Sequence, residues 1–132
     1  MDSETQTVST GQKWTKLGWA LGILPALLLL FSATAKFIQP TGMEESLKPL
    51  GWRIDQMVGL GILEAALAII YLIPPTRILG AILITAYMGG AIATHVRIGD
   101  FFIVVHILIG VLVWLGVWLR DPRLRPLMPI TS

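Results

Sequence analysis

The chain contains no cysteine among its 132 residues. Thiol–disulfide exchange, disulfide bonds and thiolate ligands for a metal or an iron–sulfur cluster are therefore excluded, because each needs a cysteine sulfur. Any redox role must rest on a non-covalently bound cofactor or on a partner protein. The sequence also lacks a Gly-x-Ser-x-Gly elbow, a P-loop and a dinucleotide fingerprint, so the common motifs for acyl transfer and nucleotide binding are missing.

Charged residues are few and apolar residues are abundant. They make up 14% and 55% of the chain, and the mean hydropathy is +0.75. A soluble domain of this length could not bury so much apolar surface in one core, so the composition is typical of an integral membrane protein that contacts the lipid bilayer. The net charge of +2 is spread over loops and tails and gives no support for nucleic-acid binding.

Four continuous apolar runs each approach the roughly 17–25 residues that a membrane helix needs. They are Leu17–Ile38, Ile54–Ile73, Ile78–Thr94 and Phe101–Leu119. The second and third connections are short, so consecutive helices must run antiparallel. We therefore predict an all-α fold, an integral membrane antiparallel four-helix bundle at residues 14–120. We expect a disordered N-terminal tail at residues 1–13 and a C-terminal tail at residues 121–132.

The basic residues near the span ends are distributed unevenly. Six lie on the side of the two termini, against four on the other side. The six are Lys13, Lys16, Arg77, Arg120, Arg123 and Arg125. Because basic residues favour the cytoplasmic side, we expect both termini and both tails in the cytoplasm, in a bacterial cytoplasmic membrane.

Glu64 lies in the middle of the second span. It is about ten residues from the start of that span, roughly 15 Å at 1.5 Å per residue, which is near the midplane of a ~30 Å hydrocarbon core. An isolated carboxylate is strongly disfavoured there, so it must be protonated or paired. We predict that it points into the bundle, within hydrogen-bond reach of at least one of four basic side chains. These are Lys36, His95, Arg97 and His106.

A short stretch between the third and fourth spans, Thr94 to Asp100, carries a hydroxyl, an imidazole, a guanidinium and a carboxylate. Lys36 lies at the same end of the first span, and His106 lies near that end of the fourth. Charged groups at such depth usually face a bundle interior or a cavity. We predict that these side chains and Glu64 form a polar pocket in one half of the bundle.

Each of these residues also has a purely structural explanation. Lys36 could snorkel to the lipid headgroups, Arg97 could lie in the phosphate layer, and Asp100 could cap the fourth helix. His106 could hydrogen-bond a carbonyl across helices, and Glu64 could form a buried ion pair. No histidine or acidic pair has the i, i+4 spacing of a helical metal motif, and the nearby cations would repel a metal ion, so we predict no metal site.

Two further patterns concern packing. Met43–Lys48 could form a short amphipathic helix that caps the pocket, but a plain connector is the interpretation that we favour. Small residues recur at four-residue spacing in the first and third spans, which predicts close helix packing. They are Gly18, Gly22 and Ala26, and Ala86, Gly90 and Thr94.

Four segments together resemble the DoxX-like family of small four-helix membrane proteins. They are Phe31–Phe37, Gly59–Glu64, Pro74–Arg77 and Gly90–Asp100, of which the last is the most specific. The resemblance covers residues 17–119, and His106 lies outside the pattern. It implies association with oxidoreductase systems, because relatives include a subunit of a thiosulfate:quinone oxidoreductase. More distant relatives resemble assembly chaperones for receptor channels.

The residues and the resemblance favour a small oxidoreductase-associated subunit that binds a quinone-like or other amphipathic molecule in the pocket. The residues expected to exchange protons are Glu64, His95 and Asp100. Those expected to bind the molecule are Lys36, Thr94, Arg97 and His106. Lys36 and Arg97, together with His95, could donate hydrogen bonds to a ligand carbonyl. An oxidoreductase protein or a second copy of the chain is the expected protein partner. The alternative is a non-enzymatic scaffold or assembly factor, and whether the chain catalyses a reaction stays open.

Overall fold

The structure is a computed structural model that describes residues 2–131, with side-chain surroundings from residue 11 onward. Five α-helices follow one another: α1 (Asp2–Ile38), α2 (Met43–Leu47), α3 (Met57–Leu72), α4 (Arg77–Ile98) and α5 (Ile103–Arg120). Short 3-10 turns lie at Ile54–Gln56, Pro74–Thr76 and Pro122–Leu124. No strand occurs in residues 2–131.

The four long helices are each long and apolar enough to cross a membrane. α1 packs against α3 and α5, and α4 packs against the same two helices. α1 and α4 therefore lie at opposite corners of a four-helix bundle, and short connections reverse the chain between the later helices. The predicted all-α membrane bundle is confirmed.

The helix ends follow from local chemistry. Ile73 is extended because it precedes Pro74, and α3 ends there. Gly99 has a φ of 69°, in the left-handed region that glycine tolerates, and its N–H donates to the carbonyl of Val96 at 3.1 Å, which ends α4. The Gly99 turn lies at the same end of the bundle as α2, which we term the α2 end; the Pro74 turn lies at the other, the Pro74 end.

Close helix contacts form where a glycine faces the backbone of a neighbouring helix. A Cβ atom on Gly116 of α5 would lie 2.8 Å from the Cα atom of Gly22 in α1. A Cβ atom on Gly80 of α4 would lie 2.4 Å from the Cα atom of Tyr71 in α3. The packing predicted for Gly18 and Gly22 is therefore confirmed at the α1–α5 contact, because side chains at these positions would hold the backbones apart.

The corresponding prediction for the third span was wrong. A Cβ atom on Gly90 would meet no atom within 4 Å among the residues whose side chains are described. Ala86, Gly90 and Thr94 instead line a cavity. Their small size leaves space inside the bundle, whereas close packing would have removed that space.

The first helix is longer than its span. It begins at Asp2, in a segment that the sequence analysis expected to be disordered, and continues without a break to Ile38. Proline is absent from residues 2–13, and a helix that has already formed extends by one hydrogen bond per residue. The side on which this segment and the C-terminal segment lie stays a prediction.

Candidate functional site

Glu64 points into the bundle, where it is only 4% exposed. The Lys36 ammonium donates to both carboxylate oxygens, Oε1 and Oε2, at 3.0 Å each. The predicted hydrogen bond from Glu64 to a basic side chain is therefore confirmed, with Lys36 as the partner. The snorkelling alternative for Lys36 does not apply, because its ammonium turns inward to the carboxylate.

Two further hydroxyl groups complete this network, and the sequence analysis missed both. The Tyr87 hydroxyl of α4 donates to Oε1 of Glu64 at 2.6 Å. The Ser32 hydroxyl donates to the same oxygen at 3.3 Å and accepts from the Lys36 ammonium at 2.7 Å. Ser32 precedes Lys36 by one helical turn, and Tyr87 places a phenol in an otherwise apolar span. Because a buried tyrosine hydroxyl usually needs a partner, Tyr87 was the available signal.

All hydrogen-bond donors of the Lys36 ammonium are used within this network. An ammonium has three N–H donors, and Lys36 uses them on Ser32 and on the two carboxylate oxygens of Glu64. Each carboxylate oxygen accepts at least one hydrogen bond from within the bundle. The expectation that Lys36 donates to a ligand carbonyl is therefore at odds with the geometry, since no donor remains.

His95 and Asp100 form a second polar group at the α2 end. Nδ1 of His95 lies 3.2 Å from Oδ2 of Asp100, and the Phe102 N–H donates to Oδ1 at 3.0 Å. The Phe102 hydrogen bond, with a smaller contribution from His95, holds the pKa of the Asp100 carboxyl below its usual value. Asp100 thus stabilises the turn that precedes α5 and orients His95, which modifies the expected role as a simple helix cap.

His106 lies beside His95, with the two ring centroids 4.9 Å apart. Its Nδ1 lies 2.9 Å from the carbonyl oxygen of Phe102 in the preceding turn, so the expected bond across helices was wrong. A carbonyl only accepts, which places the proton on Nδ1 and leaves Nε2 as an acceptor. Among residues 11–131 no hydrogen bond reaches Nε2 of either histidine. Two ring nitrogens therefore remain available to a ligand.

Thr94 and Arg97 bond elsewhere. The Thr94 hydroxyl donates to the carbonyl of Gly90 in its own helix at 2.9 Å. Nη2 of Arg97 donates to the carbonyl of Leu50 in the α1–α3 connection at 2.7 Å. Arg97 therefore holds this connection in place, and the expectation that it donates to Glu64 or to a ligand in the pocket does not match its position.

A cavity of about 420 Å³ connects these groups. Its polar lining comes from Ser32, Lys36, Glu64, Tyr87, Thr94, His95 and His106. Leu47, Leu50 and Trp52 of the α1–α3 connection line it as well. α2 forms at Met43–Leu47 and its last residue lines the cavity, so the capping helix matches the structure and the favoured plain connector does not. Arg97 and Asp100 do not belong to the lining, and they contact the segments that do. The volume and the few polar groups are typical of a small-molecule site.

The sequence profile of the DoxX-like family matches residues 20–119. The chain belongs to the DoxX-like family. The matched segment contains every residue of the cavity lining, so the site of this DoxX-like protein is part of the family domain. No curated protein and no solved structure matches the chain.

This DoxX-like protein has a second buried polar cluster at the Pro74 end, which the sequence analysis did not anticipate. Arg120 is 6% exposed, and its guanidinium carbon lies 4.4 Å from the ring centroid of Trp19 and 5.3 Å from that of Tyr71. Nε donates to the carbonyl of Gly116 at 3.0 Å. In the described part of the chain, Nη1 and Nη2 have no hydrogen-bond partner. The aromatic rings and the space beside Gly22 accommodate the cation instead.

Asp121 follows directly and pairs with two other arginines at the same end of the bundle. It is 1% exposed and accepts from Arg123 at 2.6 Å and from Arg77 at 3.2 Å. Arg123, with Arg77, holds the pKa of the Asp121 carboxyl well below its usual range. These pairs tie the α3–α4 turn to the end of α5. Their role is structural, since they do not line the cavity.

Proposed function

We propose that this DoxX-like protein binds a quinone-like or other amphipathic small molecule in the cavity at the α2 end, as a small subunit associated with an oxidoreductase. The supporting observation is the cavity of about 420 Å³, whose lining is mostly apolar and contains a few convergent polar side chains. Sites for small molecules usually have this form. The family membership agrees with a membrane location and leaves the ligand to be identified by experiment.

The two histidines are the groups that would contact the head of the ligand. Nε2 of His95 and Nε2 of His106 accept hydrogen bonds, whereas the hydroxyl and ammonium donors of the cavity already serve Glu64 or a backbone carbonyl. Two acceptor nitrogens against one remaining donor among the described side chains, the indole N–H of Trp52 in the same lining, favour a head group with hydroxyls over one with carbonyls alone. The reduced, hydroquinone form of a quinone carries such hydroxyls.

Proton transfer from such a hydroxyl would involve His95 first. The carboxylate of Asp100 lies 3.2 Å from its Nδ1 and would stabilise the imidazolium that forms when Nε2 takes up a proton. Glu64, expected from the sequence to exchange protons, has a different role in this proposal. Its hydrogen bonds to Lys36 and Tyr87 fix α1, α3 and α4 around the cavity.

The test is equilibrium binding of a tail-less hydroquinone to the purified protein in lipid nanodiscs, without oxygen. We expect saturable binding that is tighter than that of the corresponding quinone. His95→Phe and His106→Phe should each weaken it by roughly two- to tenfold, the value of one neutral hydrogen bond. Glu45→Ala, on the exposed face of α2, is the control and should bind as wild type does. Absence of saturable binding by the wild type would refute the proposal.

A second candidate function, a membrane scaffold or assembly factor, is favoured by one observation. The hydrogen bonds of Lys36 and Glu64 are satisfied within the bundle, as a purely structural network requires. The His95→Phe/His106→Phe double variant separates the two functions. A scaffold keeps its copurifying partner when both histidines are replaced and the fold is intact, whereas a ligand-binding subunit loses the bound small molecule in native mass spectrometry.

A further inference from the structure

We infer that the open groove between α4 and α5 holds the apolar tail of the molecule whose head occupies the histidine cavity. The ligand class is then a long-chain amphiphile with a hydroxyl-bearing head group. This inference rests on the proposed function and adds a second subsite, with its own residues, to the same binding site.

The groove offers contacts that suit a hydrocarbon chain. Its volume is about 720 Å³, and its lining is almost wholly apolar. The residues that form its walls are Met88, Gly89 and Ile92 of α4 and Ile107, Gly110, Val111, Trp114, Leu115 and Trp118 of α5. Met128 and Pro129 of the C-terminal segment line it near Trp118.

The polar atoms of the groove are already paired. Nε1 of Trp114 donates to the Thr85 hydroxyl at 2.6 Å, and Nε1 of Trp118 donates to the carbonyl of Met128 at 3.0 Å. Nε2 of His106 is the lining nitrogen without a partner among the described residues. A polar head would therefore find one hydrogen-bond acceptor at one end of the groove and otherwise only apolar surface. The groove is suited to a tail.

Two residues belong to both cavities. Met88 and His106 line the groove on one side and the histidine cavity on the other. These two side chains separate the groove from the histidine cavity, so the tail of a molecule whose head binds His106 needs to pass only them to reach the groove. Met88 is 4% exposed, and its unbranched thioether chain adapts to neighbours of different shape. The groove and the cavity adjoin at these two residues, which favours one molecule over two separate occupants.

The groove also has a suitable length. Along α5 from His106 to Trp118 it extends for twelve residues, about 18 Å at 1.5 Å per residue. A tail in it would run along the helices and cover more than half of a ~30 Å hydrocarbon core. Its two walls leave free space at Gly89 and Gly110, where an added Cβ atom would meet no atom of residues 11–131 within 4 Å. A side chain added at either glycine therefore starts in free space and projects into the groove.

The experiment compares two hydroquinones with the same head, one without a tail and one with a decyl chain, on the nanodisc-embedded protein. Gly110→Leu fills the groove. Gly59→Leu on α3 is the matched control, because its added Cβ atom is equally free of contacts and it lines neither cavity. Both variants face the same membrane, so partitioning of the decyl probe into lipid cancels in their comparison.

We expect Gly110→Leu to weaken binding of the decyl probe at least tenfold relative to Gly59→Leu, while both variants bind the tail-less probe equally. Gly89→Leu, on the opposite wall, should reproduce the effect and replaces Gly110→Leu if that variant does not fold. Equal binding of the decyl probe by Gly110→Leu and Gly59→Leu would overturn the tail subsite and leave the head site standing. Loss of a copurifying phospholipid from Gly110→Leu, with probe binding unchanged, would also overturn it, because the groove would then hold a bilayer lipid. Absence of tail-less probe binding by the wild type refutes both.

Discussion

Replacing Lys36 by methionine removes the cation that neutralises the most deeply buried carboxylate. Glu64 is 4% exposed, and Lys36 is its cationic partner among residues 11–131. Breaking a buried ion pair by removing one member typically costs about 3–5 kcal/mol, because the remaining charge stays buried. Tyr87 and Ser32 would still donate to Oε1. We therefore expect Lys36→Met to lower the free energy of unfolding by about 3 kcal/mol, the lower end of that range.

Removing the network completely should restore most of this stability. In Lys36→Met/Glu64→Met no charge remains, and the main loss is the acceptor of the Tyr87 hydroxyl, which costs about 1–3 kcal/mol when such a group is left buried and unpaired. Adding Tyr87→Phe removes that hydroxyl as well. Apolar replacements of a buried ion pair are often neutral or stabilising, so we expect the triple variant to lie within about 1 kcal/mol of wild type.

The assay is reversible unfolding in mixed detergent micelles, followed by tryptophan fluorescence. The control is Lys48→Ala, which breaks the exposed ion pair of Lys48 with Glu45 on α2, 2.8 Å long. Exposed pairs contribute about 0–1 kcal/mol. A Lys36→Met variant that loses no more stability than this control would refute the argument that the ion pair stabilises the bundle. If the triple variant is as unstable as Lys36→Met, an unpaired buried charge is not the reason that Lys36→Met loses stability.

Three further predictions follow from the other end of the bundle and from its orientation. Gly22→Ala should destabilise the protein by about 1–3 kcal/mol in the same assay, because the new Cβ atom would lie 2.9 Å from the buried guanidinium of α5; unchanged stability would contradict the tight α1–α5 contact. Arg123 lowers the pKa of Asp121 in the folded protein. The ionised Asp121 carboxylate therefore stabilises the fold above its unfolded pKa of about 3.9, and this stabilisation is lost as the pH falls through the lower, folded pKa. Asp121→Asn should be less stable at neutral pH and should remove this acid dependence. Single cysteines in this cysteine-free chain test the orientation: Ser46→Cys should react with an impermeant reagent from outside intact cells and Ser3→Cys only after permeabilisation, and the reverse pattern would show the opposite orientation.

The parts of the fold that the sequence predicted are those with few physical solutions. Long apolar runs joined by short connections have almost no alternative to an antiparallel bundle in the membrane. A carboxylate at the midplane likewise has to find a proton or a cation, and Lys36 was one of few candidates with sufficient reach. Prediction succeeded for the Glu64–Lys36 pair because the penalty for leaving the carboxylate alone is large and independent of the exact packing.

The residues that were missed depend on which helices are neighbours and on the path of the connections. The short connection makes α3 and α4 neighbours, but Tyr87 meets Glu64 because of the rotation of each helix about its own axis, which no local pattern specifies. Arg97 bonds a backbone carbonyl of the α1–α3 connection, and a carbonyl is present at every residue, so its position cannot be read from residue types. Arg120 looked like an ordinary basic residue at a span end. Its burial requires the space beside Gly18 and Gly22 on a different helix.

The structure brings Lys36, Glu64 and the two histidines to one cavity but divides them by their hydrogen bonds. Lys36, Glu64 and Tyr87 bond one another and leave no free donor, so substitutions there change stability and report on function only through the fold. His95 and His106 line the same cavity, keep one acceptor nitrogen each and take no part in that network. From charge and depth alone, Glu64 would be chosen as the ligand-binding residue. The hydrogen-bonding atoms that remain without a partner among the described residues instead favour the two histidines. The variants that decide between a ligand-binding subunit and a scaffold are therefore those at His95 and His106.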